Sequence, residues 1–131
     1  MEPAYATGDL VLVESLSYRL RRPGRFEVVV IHDPAEPGRL AIKRIVGLPG
    51  ETVAVEDGTL LVDGRPVAAP VRLPAYAGTV RTGDGYYVLG DNPAGSADSR
   101  TYGPVPPEFI VGRVLFALAR NRKAAKCRLK K

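Results

Sequence analysis

The chain has 131 residues, which suits one domain, and 25% of them are charged. Its net charge of +5 is unevenly placed, because seven of the 19 basic residues lie at positions 120–131, where no acidic residue occurs. Positions 1–119 hold 12 basic and 14 acidic side chains, so this part lacks the positive surface of a nucleic-acid-binding domain. The one cysteine, Cys127, excludes an intrachain disulfide and a cysteine-rich zinc site.

The charge distribution predicts two parts: a folded domain over residues 1–119 and a basic, flexible tail over residues 120–131. Such a tail can lie against anionic lipid headgroups, at about 1 kcal/mol per basic side chain, or it can remain a solvated end. No stretch approaches the roughly 18 apolar residues that cross a bilayer. The short, mixed start before Asp9 is not the pattern expected of a signal peptide.

Short apolar runs alternate with turn residues along the chain, which contains 14 Gly and 12 Pro. Strands are predicted over residues 10–13, 26–31, 40–46, 52–55, 59–62, 85–89 and 110–118. The turn at residues 56–58 predicts a hairpin, and residues 65–80, with three prolines, predict an excursion with little regular structure. Residues 14–22 could form a helix that ends before Pro23. The predicted fold class is mainly β, a barrel or sandwich of many short strands with at most one short helix.

Two segments carry side chains that a generic β domain does not need. In the first, Lys43 and Arg44 lie inside the apolar run at positions 40–46. Strand alternation directs one of the two cations toward the interior, unless the strand lies at an edge of its sheet. Burial disfavours the charged form of a lysine and lowers its pKa, so that it can act as a general base near neutral pH. From the strand alone, a lysine that reaches solvent along a half-exposed strand is the simpler interpretation.

The second segment, residues 90–100, is a polar loop after an apolar strand. Its polar side chains are those of Asp91, Asn92, Ser96, Asp98, Ser99 and Arg100. These groups can hold a neighbouring strand through charge-assisted hydrogen bonds, and a hydroxyl among them can orient a lysine. By composition alone, the segment is typical of a surface turn.

Together and in this order, the segments resemble bacterial signal peptidase I, the leader peptidase family of serine–lysine peptidases. The family opens with serine–methionine–any residue–proline, then Gly-Asp and an apolar strand. This chain begins Met1-Glu2-Pro3-Ala4 and continues with Gly8-Asp9 before residues 10–13. Residues 43–51 match the family's lysine segment, residues 90–100 its aspartate–serine loop, and residues 103–106 and 110–113 the two segments after that loop. Four ordered motifs are far more specific than one.

The resemblance implies a role for each matched residue. Lys43 would be the general base, and Ser96 would orient it by a hydrogen bond. Ion pairs of Asp91 with Arg44 and of Asp98 with Arg100 would hold the site. The site-supporting residues as a set would be Arg44, Asp91, Asn92, Asp98 and Arg100. The substrate-binding residues, which would receive an extended peptide by strand addition, would be Pro3, Leu40, Ala41 and Ile42.

The resemblance also implies a substrate and a location. The partner would be the signal peptide of an exported preprotein, cut after a small residue, and the membrane surface would be a second partner. The full-length protein would lie in the cell membrane, with its catalytic domain on the extracytoplasmic side. The resemblance implies no metal, no organic cofactor and no nucleic acid.

The sequence departs from the family's pattern at three positions. Pro93 replaces the usual arginine, and Ala4 stands where a hydroxyl residue is usual. The nucleophilic serine would immediately precede Met1, and Ser15 and Ser17 have no motif context that would make either its substitute. We therefore expect a chain truncated just after the nucleophile position and inactive in isolation. The other explanation is a true short form without catalysis.

Three further hypotheses remain open from the sequence. The chain could be a specialised maturation peptidase of the same fold, which trims one particular protein. It could be a catalytically inactive β domain that binds extended peptides. The basic tail could also tether a β domain to nucleic acid, in which case binding to DNA should depend on salt.

Overall fold

The structure is a computed structural model that describes residues 10–91 and 97–118. It contains nine strands, and the mainly-β fold class is confirmed. The strands are β1 (Leu10–Glu14), β2 (Val28–His32), β3 (Leu40–Gly47), β4 (Thr52–Glu56), β5 (Thr59–Val62), β6 (Arg65–Val67), β7 (Tyr76–Arg81), β8 (Tyr87–Leu89) and β9 (Ile110–Leu118). The predicted tail, residues 120–131, lies outside the described residues.

The strands form two antiparallel sheets. The first sheet has the order β1-β9-β2-β3-β8, and the second has the order β6-β5-β4-β7. In the described part of the chain neither sheet closes on itself, so the architecture is two open sheets and not a closed barrel. β3 lies between β2 and β8 in the first sheet. The next strand in the chain, β4, is the first strand in sequence of the second sheet, where it lies between β5 and β7.

The second sheet is built largely from tight hairpins. Asp57 and Gly58 connect β4 to β5 with φ angles of 51° and 76°, which is the left-handed geometry of a two-residue hairpin turn. The predicted hairpin is therefore present. Asp63 and Gly64 repeat this turn, with φ angles of 51° and 82°, and lead into β6. The prediction of little regular structure over residues 65–80 is wrong, because β6 and β7 both lie there.

Helical structure in the described residues is limited to short segments. Helix α1 (Ser17–Leu20) lies inside the predicted window, and a second helix, α2 (Ser99–Tyr102), adds to the one that was expected. A 3-10 turn spans Pro107–Phe109. The second helix forms because the Asp98 side chain accepts a hydrogen bond from the Arg100 N–H and so caps its first turn. Within the described ranges, no helix has the length and apolarity needed to cross a membrane.

The two faces of β3 pack into two different hydrophobic clusters. The Ile45 cluster consists of Val29, Ile31, Ile45, Tyr86, Val88 and Val105. The Val46 cluster lies on the other side and consists of Val46, Val53, Val55, Leu60, Val62, Leu73, Ala77, Tyr87 and Leu89. Alternation along β3 therefore places Lys43 on the face of the Ile45 cluster and Arg44 on the face of the Val46 cluster.

Gly47 ends β3 at the point where the first sheet meets the second. A β carbon at this position would lie 2.5 Å from Cγ2 of Val53 in β4 and 2.9 Å from Cβ of Tyr87 in β8. Carbon atoms in van der Waals contact lie at about 3.5–4.0 Å. The close approach of three strands at this point therefore requires glycine.

Candidate active site

Lys43 lies in the middle of β3 and is buried, with 3% of its surface exposed. The interpretation as a lysine that reaches solvent is therefore wrong. Burial is the largest influence on this residue and lowers its pKa from the ordinary value of 10.5. The carboxylates of Asp98 and Asp33 oppose this shift, while the cations of Arg100 and Arg39 add to it. The net effect is a lysine that gives up its proton more readily than one in water.

On the opposite face of the strand, Arg44 forms a bidentate ion pair with Asp91. Nε of Arg44 lies 2.9 Å from Oδ1 of Asp91, and Nη2 lies 2.9 Å from Oδ2. Nη1 of the same guanidinium donates to the backbone oxygen of Phe26 at 2.9 Å. Planar pairing of this kind fixes geometry as well as charge. It joins β3 to the start of the polar loop, at the point where that loop leaves β8.

The far end of the loop is held by Asp98, whose exposed fraction is 1%. Its carboxylate accepts from Nε and Nη2 of Arg100, each at 2.8 Å, and from the backbone N–H of Gly90 at 3.2 Å. Ser99 Oγ accepts from the backbone N–H of Val88 at 2.8 Å. These bonds attach the start of α2 to the end of β8, so both ends of the polar loop lie close to β3.

One edge of β3 is open over its first half. β2 pairs with β3 from Leu40 to Arg44, whereas β8 pairs with the other edge of β3 only from Arg44 onward. Among the described residues, no strand pairs with that second edge at residues 40–43. The backbone groups of such an edge can bind an extended peptide by strand addition. The open edge and Lys43 belong to the same stretch of chain.

The structure brings together most of the residues singled out in the sequence. The residues that it describes are Leu40, Ala41, Ile42, Lys43, Arg44, Asp91, Asp98 and Arg100. Pro3, Asn92 and Ser96 lie outside the described residues. No three histidine, cysteine or acidic side chains within residues 10–91 and 97–118 are grouped as a metal site would require.

Two further residues belong to this neighbourhood and were missed in the sequence. Asp33 comes directly after β2, and its position continues the alternation of Val29 and Ile31, which share a face with Lys43. That alternation could have revealed Asp33, whereas the approach of Tyr102, from α2, to the Ile45 cluster has no local sequence signal. The assembled site is a desolvated lysine with a lowered pKa, near acidic groups and next to an open strand edge. A neutral lysine in such a site can accept a proton from a hydroxyl nucleophile.

Comparison with known proteins identifies the family to which this chain belongs. A family model described as signal peptidase, peptidase S26, matches residues 1–119. The chain belongs to the signal peptidase family. Signal peptidase I V of Bacillus subtilis is 35% identical over 130 residues, which cover 86% of this chain and 76% of that protein. The resemblance inferred from the sequence motifs is therefore confirmed.

Two further relatives are similarly close in sequence. A probable signal peptidase I-2 of Synechocystis sp. is 42% identical over 126 residues, 86% of this chain and 56% of that protein. A mitochondrial ATP-independent inner membrane protease subunit 1a of Arabidopsis thaliana is 37% identical over 110 residues, 84% of this chain and 59% of that protein. The chain thus spans little more than half of the length of these two relatives.

The fold agrees with a solved structure of the same family. The crystal structure of a signal peptidase I from Enterococcus faecalis V583 superposes with a TM-score of 0.60 at 28% sequence identity. The match covers 71% of this chain and 97% of that chain. The two open sheets described above are therefore those of a signal peptidase I.

Proposed function

We propose that this chain is the catalytic β domain of a serine endopeptidase of the signal peptidase I type, which cleaves signal peptides from exported preproteins. The observation that supports this most strongly is the buried Lys43, with its lowered pKa, beside an open strand edge. A general base with a lowered pKa and a binding edge for extended peptides are what peptide-bond cleavage by a serine–lysine pair needs.

In the proposed reaction, the nucleophile is a serine at the family's position, directly before Met1. The neutral amine of Lys43 takes the hydroxyl proton as the serine oxygen attacks the scissile carbonyl carbon. The lysine then gives this proton to the departing amine, which leaves an acyl-enzyme ester. Water hydrolyses the ester and regenerates the serine. Ser96 would orient the lysine, as the resemblance implies.

We propose that the ion pairs support this chemistry by holding the polar loop in place. The pairs Arg44–Asp91 and Arg100–Asp98 fix the two ends of the polar loop that contains Asn92 and Ser96. Buried ion pairs contribute little net stability, because the loss of hydration offsets the attraction between the charges. Their contribution here would be to hold the Ser96 segment close to β3.

The substrate is proposed to bind as an added strand along Leu40, Ala41 and Ile42, with Pro3 contacting it as the family motif implies. The open edge at these residues would supply main-chain hydrogen bonds. Small apolar pockets would bind a small side chain before the cleaved bond. A substrate with one methylene more would be disfavoured by only about 1–3 kcal/mol.

The test is to place a serine and a short apolar lead before Met1 and to measure cleavage of a peptide that contains Ala-x-Ala before the cut. We expect cleavage, with a rate that rises with pH through a pKa below 10.5, because the lysine must be neutral. Lys43→Ala in the extended protein should abolish turnover while the domain stays folded. Arg19→Ala, an exposed residue of α1, is the control and should leave the rate unchanged. Full activity of Lys43→Ala would exclude the mechanism.

The open edge also favours a second candidate, a β domain that binds extended peptides without cleaving them. Both candidates predict that peptides bind, and only the first predicts cleavage by the serine-extended protein. Binding without cleavage, together with correct folding of the extended protein, would favour the second candidate. A maturation peptidase of the same fold would cleave one protein sequence and reject general Ala-x-Ala peptides.

We also propose that the domain works at a membrane surface, on the extracytoplasmic side. Seven large apolar side chains are exposed in the described part of the chain, and five of them lie on β1, β9 and the α1 segment: Leu12, Leu16, Leu20, Val111 and Leu115. Exposed apolar side chains concentrated in one region are typical of an interaction surface. The basic residues at positions 120–131 would add attraction to anionic lipids.

Sedimentation with vesicles that contain anionic lipid tests the membrane proposal. We expect that replacing Leu16 and Leu20 by Asp lowers the bound fraction several-fold, since both side chains are exposed and together supply apolar contact area. Tyr76→Asp, on the second sheet, is the matched control and should bind as the unsubstituted chain does. Equal binding by all three proteins would contradict the proposed surface.

A further inference from the structure

Asp33 is a half-buried carboxylate on the lysine face of the first sheet. Ile31 of β2 lies opposite Ala41 of β3. Two residues further on, the backbone N–H of Asp33 donates to the backbone oxygen of Arg39 at 2.8 Å, which continues the pairing beyond the two strands. Side chains two residues apart on a strand share a face. Asp33 therefore lies on the same face as Ile31, Ala41 and Lys43.

The local fold around Asp33 needs an acceptor at this position but does not need its negative charge. Oδ1 of Asp33 accepts a hydrogen bond from the backbone N–H of Ala35 at 2.8 Å. The backbone oxygen of Asp33 accepts from the N–H of Glu36 at 3.3 Å, and the turn is closed by these two bonds. An asparagine can make the same side-chain bond with its amide oxygen. The charge itself therefore calls for a different explanation.

The other charges that act on the lysine form two ion pairs. The Asp98 carboxylate accepts two hydrogen bonds of 2.8 Å from the guanidinium of Arg100, so their effects on the lysine largely offset each other. Arg39 pairs with Glu36 at 2.8 Å, and both side chains are exposed to water, which screens them. Asp33 also acts on the lysine, and among the described residues it belongs to no ion pair. Its charge is therefore the one that no neighbouring cation offsets.

A negative charge at this place suits the step in which the lysine accepts a proton. Burial is the largest influence on the pKa of Lys43 and lowers it, and the charges of Asp98 and Asp33 oppose this effect. Tyr86 and Tyr102 belong to the same face and stay neutral, because burial raises the pKa of each. When the neutral amine becomes an ammonium in this desolvated site, a fixed carboxylate stabilises the new charge more than it would in water.

We propose that Asp33 acts on the reaction through Lys43, because its carboxylate stabilises the ammonium that the lysine becomes when it takes the proton of the nucleophile. This inference rests on the proposed function, which supplies the nucleophile and the proton transfer. Asp33 is in this sense a positioning residue, which contributes a charge and not a contact with the reacting atoms. Without this charge, Lys43 should lose its proton more easily and should also be a weaker base.

The first measurement follows the titration of Lys43 in the full chain by NMR with 13C-labelled lysine. Lys43 is the one lysine at positions 1–119, and its signal is identified by its absence from Lys43→Met. Asp33→Asn removes the charge and keeps the acceptor for the turn. We expect the titration midpoint of Lys43 to move to lower pH in this variant. Asp57→Asn, in an exposed turn of the second sheet where φ is 51°, is the matched control and should leave the midpoint unchanged.

The second measurement is the pH dependence of cleavage by the serine-extended protein. In Asp33→Asn the rate should rise with pH at a lower midpoint and reach a limiting kcat about two- to fivefold lower, because a weaker base removes the proton more slowly. KM should not change. The profiles of the variant and the unsubstituted protein should therefore cross, with the variant faster at low pH and slower at high pH. Structural damage would lower the rate at every pH.

The outcomes separate this inference from the proposed function. An unchanged midpoint of Lys43 in Asp33→Asn, or an equal shift in Asp57→Asn, would overturn the inference and leave the proposed function intact. A lower midpoint with an unchanged limiting rate would also overturn it, since the charge would then not assist proton transfer. A lower melting temperature together with a lower rate at every pH would mean that Asp33 is structural. Failure of the unsubstituted serine-extended protein to cleave would overturn the proposed function, and the inference with it.

Discussion

The two sheets of this domain are built in opposite ways. In the second sheet, β4, β5 and β6 are joined in sequence by two-residue turns, and no polar side chain of its strands is buried. The first sheet pairs distant parts of the chain, as when Leu10 of β1 lies opposite Leu118 of β9. It also contains or borders all but one of the buried polar residues in the described part of the chain: Lys43, Asp91, Asp98 and Ser99.

This difference suggests that the second sheet serves as a scaffold, whereas the first sheet holds the groups proposed for catalysis. Hairpins are specified by local turn residues and apolar alternation, so the second sheet needs little from the rest of the chain. The first sheet forms only when residues far apart in sequence meet, and it has to bury charged groups that each need a partner. Substitutions of matched chemistry in the two sheets should therefore have very different consequences.

The largest effect is expected for Asp98→Ala. Removing this buried carboxylate leaves the Arg100 guanidinium and the Gly90 N–H without their acceptor. Loss of one partner of a buried ion pair costs about 3–5 kcal/mol. We expect the free energy of unfolding, measured by urea denaturation, to fall by an amount in this range, and cleavage by the serine-extended protein to be lost.

Asp63→Ala in the second sheet is the matched control for this prediction. Asp63 is exposed and accepts a hydrogen bond from the Thr52 N–H at 2.9 Å, in a turn where its φ is 51°. Its loss should cost about 1 kcal/mol and leave the cleavage rate unchanged. Equal losses of stability in the two variants would contradict the division into scaffold and site.

A smaller effect of opposite sign is expected for Lys43→Met. The folded-state pKa of Lys43 lies below its unfolded value of 10.5, so the residue's full contribution to stability is present above pH 10.5 and is lost as pH falls through the folded-state pKa. Methionine has a similar shape and no charge to desolvate. We expect Lys43→Met to raise the free energy of unfolding at pH 7 by about 1 kcal/mol and to abolish cleavage.

The pH dependence makes the Lys43→Met prediction specific. The stability difference between Lys43→Met and the unsubstituted chain should shrink as pH rises toward 10.5, because the buried lysine then becomes neutral. Urea denaturation at a series of pH values measures this. A difference that stays constant with pH would mean that the pKa of Lys43 is the same in the folded and unfolded states.

The sequence predicted the strands better than it predicted their partners. Seven of the nine strands fall within or overlap the predicted runs, since apolar alternation and turn residues are local signals. The error over residues 65–80 has a physical reason. Proline is typical of irregular structure, yet Pro66 lies in β6, an edge strand, where a residue without an N–H is tolerated. The turn at Asp63 and Gly64 has the same residues as the turn at Asp57 and Gly58, and it too begins a hairpin.

The site residues could likewise be predicted from the sequence only in part. Lys43 could be singled out because a cation inside an apolar strand is a local anomaly. The two ion pairs came only from the family resemblance, since Asp91 lies 47 positions from Arg44 and no spacing rule connects them. Tyr102 escaped notice because its unpartnered hydroxyl is a property of the packed structure, and a tyrosine at the end of a short helix has no unusual sequence context.

Gly47 limits how the protein can vary over evolution. Val53 and Tyr87 both approach the space that its β carbon would fill, so the three positions share one small volume. A larger residue at any of them would need a smaller one at another, and glycine is already the smallest residue. At the end of β3, the sequences of the two sheets therefore cannot change independently of each other. This holds even though the second sheet supplies none of the residues proposed for catalysis.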